Sequence, residues 1–111
     1  MRNMAFFLTT TAIKNRTKTH TVRDGWKKLE PGEELSAVVK ARNLRPGQKV
    51  ERLATIRVTT VARRPLETIT QEEVIREGFP DWTPARFVAW YSLKAKCQPS
   101  YVLTFIGFEY V

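Results

Sequence analysis

The sequence has one cysteine and one histidine in 111 residues. A lone thiol cannot close an internal disulfide, and one Cys with one His cannot furnish a typical structural zinc site. Catalytic zinc is equally disfavoured, so no metal and no cofactor are expected. A Cys-His nucleophilic pair would have to join Cys97 to His20, but Cys97 stands in "KAKCQPS" behind two lysines and reads as an incidental thiol. No apolar run approaches the roughly 20 residues of a membrane helix, and "AFFL" is too short for a signal-peptide core. A cytoplasmic protein is therefore expected. Internal repeats and low-complexity stretches are missing as well.

Acidic residues are scarce. Eleven Asp and Glu stand against nineteen Lys and Arg, leaving a net charge of +8. An anionic partner is favoured, with nucleic acid ahead of a membrane surface because no long basic amphipathic helix is present. Residues 14 to 28 concentrate the excess, with Lys14, Arg16, Lys18, Arg23, Lys27 and Lys28 against Asp24 alone. The 42% hydrophobic content is that of a globular protein. A chain of this length fits one domain, residues 1 to 111, burying roughly two-thirds of the surface its unfolded form exposes.

"AFFLTT" reads as a first strand, and "TAIKNRTK" as one or two helical turns capped by Thr10 or Thr11. "HTVRDGW" returns to an extended pattern that Asp24-Gly25 ends in a turn. "LSAVVKA" is a strand by its β-branched content, and "RPGQ" a turn. In "KVERLATIRVTTVARR", Ala54, Ile56 and Val58 alternate with Thr55, Arg57 and Thr59, as in a half-buried strand that Pro65 stops. Thr70 and Glu73 form the signature of a capping box opening a helix that Gly78 and Pro80 close. Thr83 and Pro84 open a second helix, whose Pro84, Phe87, Val88, Tyr91 and Ala95 make a core-facing stripe. "SYVLTFIGFEYV" is apolar on both alternating faces and predicts a central strand covered on both sides. About five strands and two or three short helices in this order describe an α+β domain on a small curved sheet or barrel.

"KTHTVR", "LEPGEELSA", "PLETITQEEVIREGF" and "FIGFEYV" together resemble the ASCH family, a branch of the PUA-like β-barrels, over almost the whole chain. The "GW..L.PG" and "EGFP" phrasing is similar to ASCH proteins carried by bacteriophages. The resemblance implies a PUA-like barrel of five to six strands, and RNA or a cytidine-type nucleoside as partner. Some small bacterial members hydrolyse N4-acetylcytidine to cytidine and acetate, using a lysine, a threonine three residues on and a glutamate at the end of the later helix. The matching positions are Lys18, Thr21 and Glu77, and Arg23 matches the family's basic residue. Two positions depart from the pattern: Arg16 stands where a glycine is usual, and His20 where an aliphatic residue is usual.

On a regular strand residues three apart face opposite sides, so Lys18 and Thr21 can share a pocket only if a helix-to-strand junction falls between them. In an amide-hydrolysing mechanism Thr21 attacks the acyl carbonyl, Lys18 takes its proton, and Glu77 positions the group or serves the leaving amine. Lys18 must then be partly neutral. Its ordinary pKa of about 10.4 would have to fall by roughly three, a difference of about 4 kcal/mol that burial can supply. A close, ionised Glu77 opposes this, so the mechanism needs Glu77 to be protonated, distant, or acting on a charged Lys18 that serves only as an electrostatic clamp for the developing oxyanion.

Glu77 also sits against the unfavourable end of a helix dipole, which either marks function or is answered by Arg76 or the Arg63-Arg64 pair. Trp26 and Trp82, beside turns, are candidates to stack on a base, with Lys27 adding charge next to Trp26; Trp90, among apolar neighbours, reads as packing. His20 is either a proton carrier or a strand residue bonded to backbone or solvent. Thr19 shares the opening motif, and Arg63 and Arg64 either hold phosphate or form a solvated strand end. The non-catalytic alternative is an RNA-binding module.

Overall fold

The computed structural model describes residues 1 to 42 and 44 to 111. Five strands form one sheet: β1 (Arg2–Ala5), β2 (His20–Arg23), β3 (Glu34–Val38), β4 (Arg52–Pro65) and β5 (Val102–Tyr110), in the spatial order β1-β3-β4-β5-β2. β1 and β3 run parallel and the other neighbours antiparallel. Three helices complete the described elements of useful length: α1 (Thr10–Lys14), α2 (Gln71–Arg76) and α3 (Pro84–Ala95). None is long and apolar enough to cross a membrane. The sheet curls until its two edge strands meet, where the Arg23 guanidinium on β2 donates to the Ala5 carbonyl on β1 at 2.6 Å. The architecture is an α+β half-barrel.

β5 organises the interior, as its two-sided apolar pattern requires. Ile106 and Phe108 enter one core with Met4, Phe6, Ile13, Leu35, Ile56 and Val58, while Leu103 and Phe105 enter a second with Val22, Leu66, Val74, Phe87 and Tyr91. The first core fills the curl of the sheet. In the second, α2 and α3 cover the other face. Ile56 and Val58 of β4 are buried and Thr59 is exposed, in line with the alternation, until a register shift between Val58 and Thr60 resets the phase.

The start of the chain departs from the expected pattern. "AFFLTT" is not a strand: β1 ends at Ala5, Phe6 turns into the core, and Phe7 to Thr9 form a 3-10 turn. Thr10 Oγ1 donates to the Phe6 and Phe7 carbonyls and so fixes the turn, while Phe7 and Leu8 stay exposed. Thr10 and Thr11 lie inside α1, and Thr9 takes the N-cap position without a side-chain cap bond. Local β propensity yields here to the burial of Phe6. The α2 and α3 signals hold: Thr70 and Glu73 exchange both bonds of a capping box, and Thr83 Oγ1 accepts from the Arg86 amide behind Pro84.

Candidate functional site

Lys18 lies in the short connection between α1 and β2, and that connection is tied down from three sides. The amides of Thr17 and Lys18 both donate to the Ala12 carbonyl, at 2.9 and 3.2 Å. The Thr19 amide donates to the Arg76 carbonyl at the end of α2, and the Thr19 carbonyl accepts from Phe108 of β5. Arg16 begins the turn with φ of 59°, in the left-handed region that favours glycine. Its guanidinium lies 5.3 Å from the centre of the Tyr110 ring, and the Tyr110 hydroxyl donates to the Lys18 carbonyl. The non-glycine residue thus takes the strained conformation with an aromatic partner to hold it. On the facing side, a Cβ at Gly78 would lie 3.0 Å from that of Ala12, so glycine there lets the end of α2 approach the turn.

This junction overcomes the strand periodicity. Lys18, Thr21, Arg23 and Glu77 line one pocket of about 210 Å³ at the seam between β1 and β2, walled by Phe6, Phe79, Trp90 and Tyr91 and reached by Lys94. Lys18 and Glu77 are each 3% exposed. The Lys18 amine donates to the Glu77 backbone carbonyl at 2.9 Å and to its Oε1 at 3.1 Å. An ammonium at the carboxyl end of a helix satisfies an orphan carbonyl and opposes the dipole, which offsets the unfavourable placing of the Glu77 carboxylate. Thr21 Oγ1 accepts from Arg23 Nε at 3.0 Å, and the same guanidinium lies 4.7 Å from the centre of the Phe6 ring. Burial holds the Lys18 amine below its ordinary range even though Glu77 pulls the other way. Lys94 is lowered too, by burial and by Arg23.

His20 stands behind the pocket. Its ring is buried, with Nδ1 at 2.7 Å from Glu77 Oε2 and Nε2 at 3.4 Å from Glu73 Oε2. Arg64 closes the chain of charges by donating to both Glu73 oxygens, at 2.8 and 2.9 Å. Burial pushes the Glu73 carboxyl up, but the bonds from Arg64 and from the Thr70 amide, with His20 nearby, outweigh it and hold the group below the usual carboxylate range.

Other expected site residues lie elsewhere. Glu77 is partnered by Lys18 and His20 and not by Arg76, which bonds Thr19, nor by Arg63, which bonds Thr104. Thr19 accordingly holds Arg76 and does not line the pocket. Neither Arg63 nor Arg64 lines the pocket: Arg63 bonds Thr104, and Arg64 bonds Glu73 and the Thr68 carbonyl. Trp82 stacks on Phe79 at 4.4 Å beneath Arg86, and so backs the pocket wall instead of forming it. Trp26 lines a neighbouring hollow of about 370 Å³ with Phe7, Arg23, Lys40 and Arg42, and Lys27 is exposed outside both.

The basic stretch of residues 14 to 28 is dispersed, with Lys18 buried, Arg16 on Tyr110 and Lys14 beside Glu51. Trp90, read as packing, lines the pocket together with Phe79, Tyr91 and Lys94, none of which the motif marked. Their sequence signal is a helical face: Phe87, Trp90, Tyr91 and Lys94 recur at three- and four-residue spacing, ending in a lysine.

The same architecture is found in solved structures. A protein from Enterococcus faecalis described as family-model DUF984 superposes with a TM-score of 0.68 at 16% identity, over 99% of this chain and 79% of that one. An ASCH domain from Lactobacillus crispatus superposes with a TM-score of 0.63 at 13% identity, over 98% of this chain and 78% of that one. The chain has the ASCH fold. The sequence itself matches no family model and no curated protein. In this ASCH fold the pocket sits where the curled sheet's edges meet the carboxyl end of α2.

Proposed function

We propose that the pocket binds the acylated base of an N4-acylcytidine and hydrolyses its amide, N4-acetylcytidine giving cytidine and acetate. The observation that carries this reading is the convergence of Lys18, Thr21 and Glu77 on one hollow of about 210 Å³. Pockets for drug-sized ligands run to roughly 300–1,000 Å³. A smaller hollow with aromatic walls suits a single flat base, with its ribose outside the mouth.

The residues have complementary tasks. A neutral Lys18 has two hydrogens, and two Glu77 acceptors, the carbonyl and Oε1, are placed to take them. Its lone pair is then left for the pocket. Arg23 donates to Thr21 Oγ1, which leaves that hydroxyl's own hydrogen to pass to the lysine and sets a positive charge beside the forming alkoxide. Thr21 Oγ1 bonds to the acyl carbon and the carbonyl becomes an oxyanion, which the nearby cations Arg23 and Lys94 stabilise. On collapse the C–N bond breaks, the Lys18 ammonium returns its proton to the departing exocyclic nitrogen, and cytidine leaves. Water then attacks the threonyl ester with Lys18 again as base, and as the ester C–O bond breaks the Lys18 ammonium returns that proton to Thr21 Oγ1, releasing acetate.

A second reading, an RNA-binding module without turnover, draws on the adjacent hollow of Arg23, Trp26, Lys40 and Arg42, where a base and its phosphates could lie. Incubation with N4-acetylcytidine, followed by its ultraviolet spectrum, separates the two. Turnover that falls roughly 100-fold or more in Lys18→Ala and Thr21→Ala is expected. An inactive wild type, or variants with undiminished turnover, would remove the hydrolase reading and leave the binding module.

A further inference from the structure

We propose that His20 is the positioning residue and counter-charge of Glu77, which releases Lys18 from being that carboxylate's sole cation and lets it serve as base. The inference rests on the hydrolase reading for its catalytic consequence, and on geometry for its structure.

The Glu77 carboxylate is divided between two partners. Lys18 takes Oε1 at 3.1 Å and His20 Nδ1 takes Oε2 at 2.7 Å. A carboxylate oxygen only accepts, so Nδ1 carries a hydrogen, and Nε2, facing Glu73 Oε2 at 3.4 Å, is satisfied when it carries one as well. The groups around the ring are Glu77 and Glu73 from the α2 segment, Lys18 beyond Glu77, Arg64 of β4 beyond Glu73, Arg76 held on the adjoining Thr19, and the uncharged Phe105 ring of β5 at 5.8 Å.

Signs therefore alternate from pocket to surface: Lys18, Glu77, His20, Glu73, Arg64. With His20 charged, it and Arg64 balance both carboxylates, and Lys18 can give up its proton without leaving a bare buried anion. Without His20, a neutral Lys18 would leave Glu77 with no cation in contact and only Arg23 and Lys94 across the pocket, a state that burial penalises. The same two-point grip fixes the Glu77 carboxylate and, through it, the amine.

Because the chain has a single histidine, 15N-histidine labelling of the full protein gives one unambiguous pair of ring signals. Both nitrogens protonated at pH 7 is the expected result; an unprotonated Nε2 there would overturn the assignment. The second measurement follows the Lys18 titration by its 13Cε shift in wild type, His20→Leu and His20→Asn, the last keeping a donor toward Glu77 should the leucine variant not fold. The midpoint should rise by about one pH unit or more in each, because one unit corresponds to a tenfold change in protonation. With N4-acetylcytidine, kcat at pH 7 should fall about tenfold and recover toward wild type at high pH, with KM little changed.

A merely space-filling His20 would leave the Lys18 midpoint and the pH profile where they are, and that result also overturns the proposal. A wild type that does not turn over the nucleoside sinks the hydrolase reading alone, since the two spectroscopic readouts decide the charge arrangement without it.

Discussion

Replacing Glu77 by glutamine tests the buried charge cluster without touching its shape. The carboxylate is 4% exposed and lies 3.1 Å from the Lys18 amine and 2.7 Å from His20 Nδ1. The glutamine amide can accept from one of them, but turns its own N–H groups toward the other. Breaking a buried ion pair on one side costs about 3–5 kcal/mol, because the remaining charge is left uncompensated. Lys18 can relieve part of that by losing its proton, which places the expected loss near 3 kcal/mol at pH 7, a large fraction of the roughly 5–15 kcal/mol that holds a domain together.

With an m-value of about 1.5 kcal/mol/M, the urea midpoint would move down by roughly 2 M, readable from the fluorescence of the three tryptophans. The pH dependence has a definite sign. Burial already holds Lys18 below its ordinary range while Glu77 pulls it up, so removing Glu77 lowers it further. The variant sheds the proton first, and its deficit is therefore greatest near pH 6 and narrows as pH rises toward 10. An unchanged midpoint at pH 6, or a deficit that widens with pH, would refute the reasoning.

Two further outcomes follow from the packing. Gly78→Ala should destabilise by about 1–3 kcal/mol, because φ of 101° disfavours any side chain and the new methyl meets Ala12, whose carbonyl anchors the Lys18 turn; a melting temperature equal to wild type would contradict this. Removing residues 101–111 deletes β5, which supplies Leu103 and Phe105 to one core and Ile106 and Phe108 to the other, so no cooperative unfolding transition is expected; a folded truncate seen by near-ultraviolet circular dichroism would overturn the account of the core.

Much of the framework was legible locally. The capping box at Thr70 and Glu73, the Thr83-Pro84 start of α3 and the two-sided strand β5 rest on hydrogen bonds and burial patterns that neighbouring residues set by themselves. The first strand was not, because Phe6, Phe7 and Leu8 are equally apolar and only the finished sheet decides which of them is inside. The motif singled out Lys18, Thr21 and Glu77, which line one pocket. Trp90 packs against the second core, as its apolar neighbours suggested, and also lines the pocket with Lys94; helical spacing marked their shared face but not the hollow that the face meets.

The sequence by itself determined the α+β order, the helix ends and the positive excess, since these follow from local sterics, capping and composition. Only the tertiary structure decided that Glu77 is held by Lys18 and His20 and not by an arginine next to it, and that the basic residues near the start are scattered. Charge pairing at 3 Å depends on the Arg16 turn, the bare Gly78 and the curl of the sheet acting together, and no short stretch of sequence contains all three.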